Sequence, residues 1–134
     1  MGELTRFAAA VGYPEDIPSA AAVFPFRIDG ADVIVAAEAR RFTVRRDLAK
    51  PGDEVPLERL ASLAAGRLLR EEATLAWDGE AGVPFLWQEI ALDSSDAELR
   101  RAFDRFLASA DWWLERVDEA ERPEPSFPEM VIMP

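Results

Sequence analysis

The spacing of apolar residues changes between Leu57 and Val117, and this change constrains the fold more than any other feature of the chain. Apolar residues recur every three or four positions from Leu57 to about Arg70, alternate in Ala73–Trp77 and Val83–Leu92, and then return to helical spacing. Spacings of three and four indicate an amphipathic helix, whereas alternation indicates a strand with one buried face. The pattern therefore predicts the order helix, strand, strand, helix.

The last helix of this series is the most clearly marked element of the chain. Ser95 followed by Glu98 fits a capping box at its start. One apolar stripe runs along it through Leu99, Phe103, Phe106, Ala110, Trp113, Leu114 and Val117. Trp112 falls one position off the stripe that contains Trp113, so one buried face cannot hold both rings. We expect Trp112 to contact a different surface.

The first half of the chain predicts one short helix and three strands. Apolar residues share one side of a helix that Gly12 ends, and they are Leu4, Phe7, Ala8 and Val11. Alternation then marks three strands, with Asp29-Gly30 as the first turn and a third strand from Arg41 to Leu48. Pro25 lies inside the first strand and lacks an amide donor, which predicts that this strand lies at a sheet edge or begins late.

These elements predict an α+β fold in a single domain, in which an antiparallel sheet is packed by helices in the order helix, three strands, helix, two strands, helix. The domain covers residues 1–118. Residues 119–134 form an acidic, proline-rich C-terminal tail that we expect to be flexible, although its apolar end, Met130 to Met133, is able to occupy a groove or a sheet edge.

Composition and charge exclude several functions. The formal net charge is −11 with no cluster of Lys or Arg, which disfavours nucleic-acid binding and suits a basic partner or simple solubility. The chain has no Cys and no His, so it has no disulfide framework and lacks the commonest proton shuttle and zinc ligand. No apolar run approaches the roughly 18 residues of a membrane span, and we expect neither a signal peptide nor a membrane anchor.

Acidic residues offer the only catalytic candidates. The clusters are Glu71-Glu72, Asp78 with Glu80, and Asp93 with Asp96. Paired carboxylates alone can perform acid and base chemistry, but helix-end solvation, turn formation and helix capping explain these clusters equally well. We expect no enzyme activity, no metal site and no cofactor.

The segment LERLASLAAGRLLREEATLAWDGEAGVPFLWQEIALDSSDAELRRAFDRFLASADWWLERV, together with the element order, small size and acidic balance, resembles the class I chaperones of type III secretion. The resemblance covers roughly residues 4–118. It implies a cytoplasmic homodimer that wraps the N-terminal segment of a secreted effector around itself. Strand pairing and hydrophobic pockets would hold that segment extended and competent for secretion.

The resemblance also implies two sets of contact residues. The side chains able to line pockets for the partner are Phe24, Phe26, Ile28, Val33, Val35, Trp77, Phe85 and Trp87. Most of these residues would equally serve as core, because a sheet covered by helices needs an apolar inner face. The dimer candidates on the second helix and the following strand are Leu60, Leu63, Ala64, Arg67, Leu68 and Leu75. The alternative is that this helix packs only on its own sheet.

Two other binding functions fit the same residues. One is an acidic inhibitor or immunity-type protein that blocks a folded, basic partner, and its complex would weaken strongly with salt. The other is a regulatory protein that sequesters a transcription factor or sensor. A chaperone with an apolar grip on an extended segment would instead show weak salt dependence.

Overall fold

The predicted order of helices and strands is confirmed. The structure, a computed structural model, describes residues 2–67 and 71–121, with side chains to Asp118. Its elements are α1 (Glu3–Val11), β1 (Val23–Ile28), β2 (Ala31–Ala37), β3 (Arg41–Asp47), α2 (Leu57–Arg67), β4 (Thr74–Asp78), β5 (Val83–Ala91) and α3 (Asp96–Glu121). The α+β class and the single antiparallel sheet are therefore as the sequence predicts.

The five strands lie in the order β1-β2-β3-β5-β4, and every neighbouring pair is antiparallel. After α2, the chain enters β4 at the far edge and returns through β5 into the middle of the sheet. The two edges of the sheet are therefore β1 and β4. Pro25 lies in edge strand β1, as its missing amide donor predicts.

The core fills the space between one face of the sheet and the helices. Phe7 of α1 is fully buried, with its ring centroid 5.0 Å from that of Phe42 and 5.3 Å from that of Phe103. Edge-to-face and tilted ring pairs at these distances add to the free energy gained by burial. Leu60 of α2 belongs to the same buried cluster. All three helices thus pack on the same face of the sheet.

The two tryptophans of α3 have different environments, as their positions predict. Trp113 is 1% exposed within the core. The Trp112 ring lies outside it, with the Arg67 guanidinium 3.8 Å and the Arg116 guanidinium 4.4 Å from its centroid. Trp112 therefore joins the end of α2 to α3 through stacked cations.

The ends of α1 and α3 follow their sequence signals. Gly12 adopts φ +78° and ends α1. Ser95 Oγ accepts the Glu98 N–H at 3.2 Å, and Glu98 Oε1 accepts the Ser95 N–H at 3.0 Å. These hydrogen bonds, chiefly the one from the Ser95 backbone, lower the pKa of Glu98. Helix α3 continues to Glu121, three residues beyond the predicted domain boundary.

Three sequence predictions concern residues that the structure does not describe. They are the dimer contact of Leu68, the end of α2 at Arg70, and the tail from residue 122 onward, including Met130 to Met133. Within the described ranges, no helix combines the length and the apolar character needed to cross a bilayer.

Candidate partner-binding surfaces

The face and edges of the sheet divide the predicted partner-binding residues into two groups. The residue pairs Leu75↔Leu86 and Trp77↔Pro84 place Leu75 and Trp77 on the helix-covered face. Trp87 pairs with Arg45 and Thr74, on the opposite face, and Phe85 lies on that face too. Trp77 therefore lies on the opposite side of the sheet from Phe85 and Trp87.

Three of the predicted partner-binding side chains are core residues instead. Phe26, Val33 and Val35 are 0%, 1% and 0% exposed, and all belong to the buried cluster. They alternate toward the face that α1 and α3 cover, so their side chains have no surface left for a partner. Phe24 and Ile28 of the same face are only partly buried, because they lie on the edge strand. The partner set is thereby reduced to the five side chains that remain accessible.

The helix-free face carries an aromatic and cationic cluster formed by Arg45, Phe85 and Trp87. The Arg45 guanidinium lies 3.8 Å from the Phe85 ring centroid and donates to Asp47 at 2.9 Å and to Asp78 at 2.8 Å. The Arg45 hydrogen bond, supported by the Ala81 backbone N–H, lowers the pKa of Asp78. Phe85 and Trp87 are each partly exposed, so this face presents apolar surface next to fixed charges.

A second apolar surface, the α2–β4 groove, has a volume of about 450 Å³. All the side chains that line it are apolar, and they belong to Leu57, Leu60, Ala61, Ala64, Ala65, Leu75, Ala76, Trp77 and Pro84. Leu57 is 47% exposed and Trp77 is 46% exposed. Large apolar side chains this exposed and adjacent are typical of an interaction site.

The described dimer candidates, four on α2 and Leu75 on β4, differ in how deeply they are buried. Leu60 is 1% exposed and packs on its own sheet, so it is a core residue rather than a contact. Arg67 is also engaged within the chain, since it donates to Glu71 at 2.9 Å and stacks on Trp112. Leu63, Ala64 and Leu75 are partly buried against the core. The helix therefore packs on its own sheet through one side, while Leu57 and Ala61 leave the other side open.

Four of the six acidic candidates for catalysis have structural partners. Glu71 pairs with Arg67, and Glu72 accepts a hydrogen bond from Gln88 at 3.0 Å. Asp78 accepts the backbone N–H groups of Glu80 and Ala81 in the β4–β5 turn. Asp96 lies 3.6 Å from Arg6 at the start of α3. Among the described residues, no three acidic side chains are grouped in a way that could hold a metal ion.

Solved structures show what this fold is similar to. The chain aligns with one from the structure of the HopA1–SchA chaperone–effector complex with a TM-score of 0.66 and 19% identity, over 84% of this chain and 90% of the other. It aligns with a chain of the ExoU–SpcU complex from the type III secretion system of Pseudomonas aeruginosa with a TM-score of 0.64 and 18% identity, over 86% and 97%. It aligns with a chain of the ExsC–ExsE complex with a TM-score of 0.65 and 19% identity, over 86% of this chain and 90% of the other.

No protein-family model and no curated protein sequence matches the chain. The similarity is therefore one of fold rather than of sequence. On that basis, the protein has a type III secretion chaperone-like fold.

Proposed function

We propose that this protein is a cytoplasmic type III secretion chaperone that binds the N-terminal segment of a secreted effector and keeps it extended. The main support is the fold, which matches a chain of the HopA1–SchA chaperone–effector complex and a chain of a type III secretion system complex, each over more than four fifths of this chain. The accessible apolar side chains supply the grip that such a role needs. They lie at the β1 edge, on the helix-free face and in the α2–β4 groove.

An extended segment suits these surfaces because they are spread over the sheet rather than gathered in one pocket. A strand that adds to a sheet edge gains main-chain hydrogen bonds, and its alternate side chains enter apolar pockets on the two faces. Phe24 and Ile28 at the β1 edge, with Phe85 and Trp87 on the helix-free face, are the side chains we assign to the partner. A segment bound in this way is prevented from folding while it remains bound.

The experiment captures the partner from the native cells and maps the stretch that the chaperone protects from limited proteolysis. We expect one partner, protected over a single stretch near its N-terminus, in a complex that tolerates raised salt because its grip is apolar. A folded partner protected over scattered patches, in a complex that dissociates as salt rises, would identify an acidic inhibitor or a regulatory protein instead.

We further propose that the α2–β4 groove joins two copies of the chain in a homodimer. Leu57 and Trp77 present apolar area to solvent, and the neighbouring Ala61 and Ala65 are small enough for a second helix to approach closely. A two-fold axis through this groove would cover both exposed side chains at once. Trp77, first assigned to the effector, is therefore better assigned to the dimer.

An arginine substitution tests the dimer without disturbing the monomer core. Ala61 is exposed in the isolated chain, so Ala61→Arg should leave the fold intact while placing a charge inside an apolar interface. We expect a monomer by analytical ultracentrifugation. Ala9→Arg, at an exposed position of α1, is the matched control and should remain a dimer. A dimer that persists in Ala61→Arg would place the interface elsewhere.

A further inference from the structure

The open edge of the sheet at β1 has few main-chain hydrogen-bond donors available. The Ala37 N–H donates to the Ala22 carbonyl at 2.8 Å. In an antiparallel ladder such bonds recur at every second residue, so the odd-numbered positions Val23, Pro25 and Arg27 direct their backbone groups away from β2. Pro25 has no N–H to offer. Only Val23 and Arg27 can therefore donate from this edge of β1.

The donor at Arg27 is already occupied by a side chain. Its backbone N–H donates to the Tyr13 hydroxyl at 3.2 Å, and that hydroxyl donates to Glu15 Oε2 at 3.0 Å. An ionised carboxylate only accepts hydrogen bonds, which orients the Tyr13 hydrogen toward Glu15 and leaves an oxygen lone pair for Arg27. Within the part of the chain that the structure describes, Val23 then holds the one free donor on the β1 edge.

The fold places Tyr13 at this point through the end of α1. Gly12 takes the left-handed conformation, and the Tyr13 N–H donates to the Ala8 carbonyl at 2.9 Å, which is a Schellman cap. The Tyr13 ring lies 4.6 Å from the Phe26 ring centroid. The helix cap and the ring contact hold Tyr13 in place, and its hydroxyl group occupies the Arg27 donor.

We propose that Tyr13 is a latch on the β1 edge, which an extended partner segment must displace in order to pair with Arg27. The partner's main-chain carbonyl would take the Arg27 N–H that Tyr13 now accepts. Until then, the latch and Pro25 shield the edge from pairing with other chains, as edge strands of natural sheets commonly require. The latch deepens the proposed function, and only the identity of the partner rests on that function.

The first test needs no partner. Tyr13→Phe keeps the ring on Phe26 and removes only the hydroxyl, so the fold should be retained. We expect amide hydrogen exchange at Arg27, measured by NMR, to become about 2- to 10-fold faster in the variant. The Phe26 amide, which faces β2, should keep its rate and serves as the internal reference. Equal Arg27 exchange rates in the two proteins would overturn the latch.

The second test uses, as its probe, a synthetic peptide of the protected stretch mapped in the capture experiment. Tyr13→Phe should bind this peptide about 2- to 10-fold more tightly, because no internal hydrogen bond has to be exchanged. Pro25→Val, which restores a donor at the exposed neighbouring position, should also bind more tightly. Ser109→Ala, which removes a hydroxyl from α3 on the helix side of the sheet, should bind with unchanged affinity.

A spectroscopic measurement separates failure of the latch from failure of the proposed function. Tyr13 is the only tyrosine of the chain, so ring-labelled ¹³C-tyrosine gives a single NMR signal, which should shift when the peptide binds. A peptide that binds without shifting this signal, and equally tightly to Tyr13→Phe, would refute the latch and leave the chaperone function standing. If no peptide binds, the function fails, while the exchange rate at Arg27 still decides the latch.

Discussion

Trp77 allows the proposed homodimer to be tested quantitatively. A tryptophan side chain presents on the order of 200–250 Å², so a residue that is 46% exposed leaves on the order of 100 Å² open on each copy. At about 25 cal/mol per Å², covering this area on both copies contributes at most about 5 kcal/mol. Because the remaining Ala keeps part of the contact and the cover is incomplete, we expect Trp77→Ala to weaken the dimer by about 2–4 kcal/mol.

This loss corresponds to a roughly 30- to 700-fold higher dissociation constant, which sedimentation equilibrium over a dilution series can measure. Trp87→Ala is the matched control, because it removes the same ring from the opposite face of the sheet. The Trp87→Ala dimer should have the same dissociation constant as the wild-type dimer. If the Trp77→Ala dimer also has this dissociation constant, the groove does not hold the two copies together and the area argument is refuted.

Three further predictions concern the scaffold. Phe7→Ala should lower the free energy of unfolding in urea by about 3–5 kcal/mol, because the ring is fully buried among other rings; a loss below about 1 kcal/mol would contradict that packing. Ser95→Ala should cost about 1 kcal/mol of stability by the same assay, and Glu98→Ala a comparable amount, since both belong to one capping box; wild-type stability would show that the cap is dispensable. Because Arg45 lowers the pKa of Asp78, the stability gained is fully present above about pH 4 and is lost as the pH falls through the folded value. Wild type and Asp78→Asn should therefore differ most near neutral pH and converge in acid, and a constant difference from pH 7 to pH 3 would show that the Arg45 pair has no such role.

The order of elements could be predicted because each carries a local signal. The change from helical spacing to alternation marks α2, β4, β5 and α3, and Ser95 with Glu98 marks the start of α3. Pro25 also indicated an edge strand, because a proline has no backbone N–H to donate to a neighbouring strand. Signals of this kind depend only on residues close together in the sequence, so they can be recognised without knowledge of the tertiary structure.

The depth of each side chain below the surface could not be predicted in the same way. Alternation shows that Phe24, Phe26, Phe85 and Trp87 lie on strand faces, but which face the helices cover depends on packing between distant segments. Phe26 is therefore core, whereas Phe85 and Trp87 remain partly exposed on the opposite face. Leu60 likewise is a core residue because of how α2 packs on the sheet, which the local sequence does not show.

Tyr13 was missed because its role depends on a contact across 14 residues of sequence. Gly12 correctly predicted the end of α1, so the sequence places Tyr13 just after that helix. Nothing local shows that the hydroxyl meets the Arg27 amide, because this requires the register of β1 and the packing of α1 above Phe26. The α2–β4 groove was partly predicted, since Ala64 and Leu75 line it and were dimer candidates, but the exposure of Leu57 depends on where α2 lies on the sheet.

The proposed function requires the partner to be held as an extended segment, and a comparison of two affinities tests this. The protected stretch of the captured partner is synthesised as an isolated peptide, and its dissociation constant is measured beside that of the intact partner. If the chaperone grips an extended chain, the two constants should be equal, because the peptide already contains every contact and needs no fold of its own. Binding by the intact partner combined with no binding by the peptide would show that a folded surface is recognised, and would contradict the proposed function.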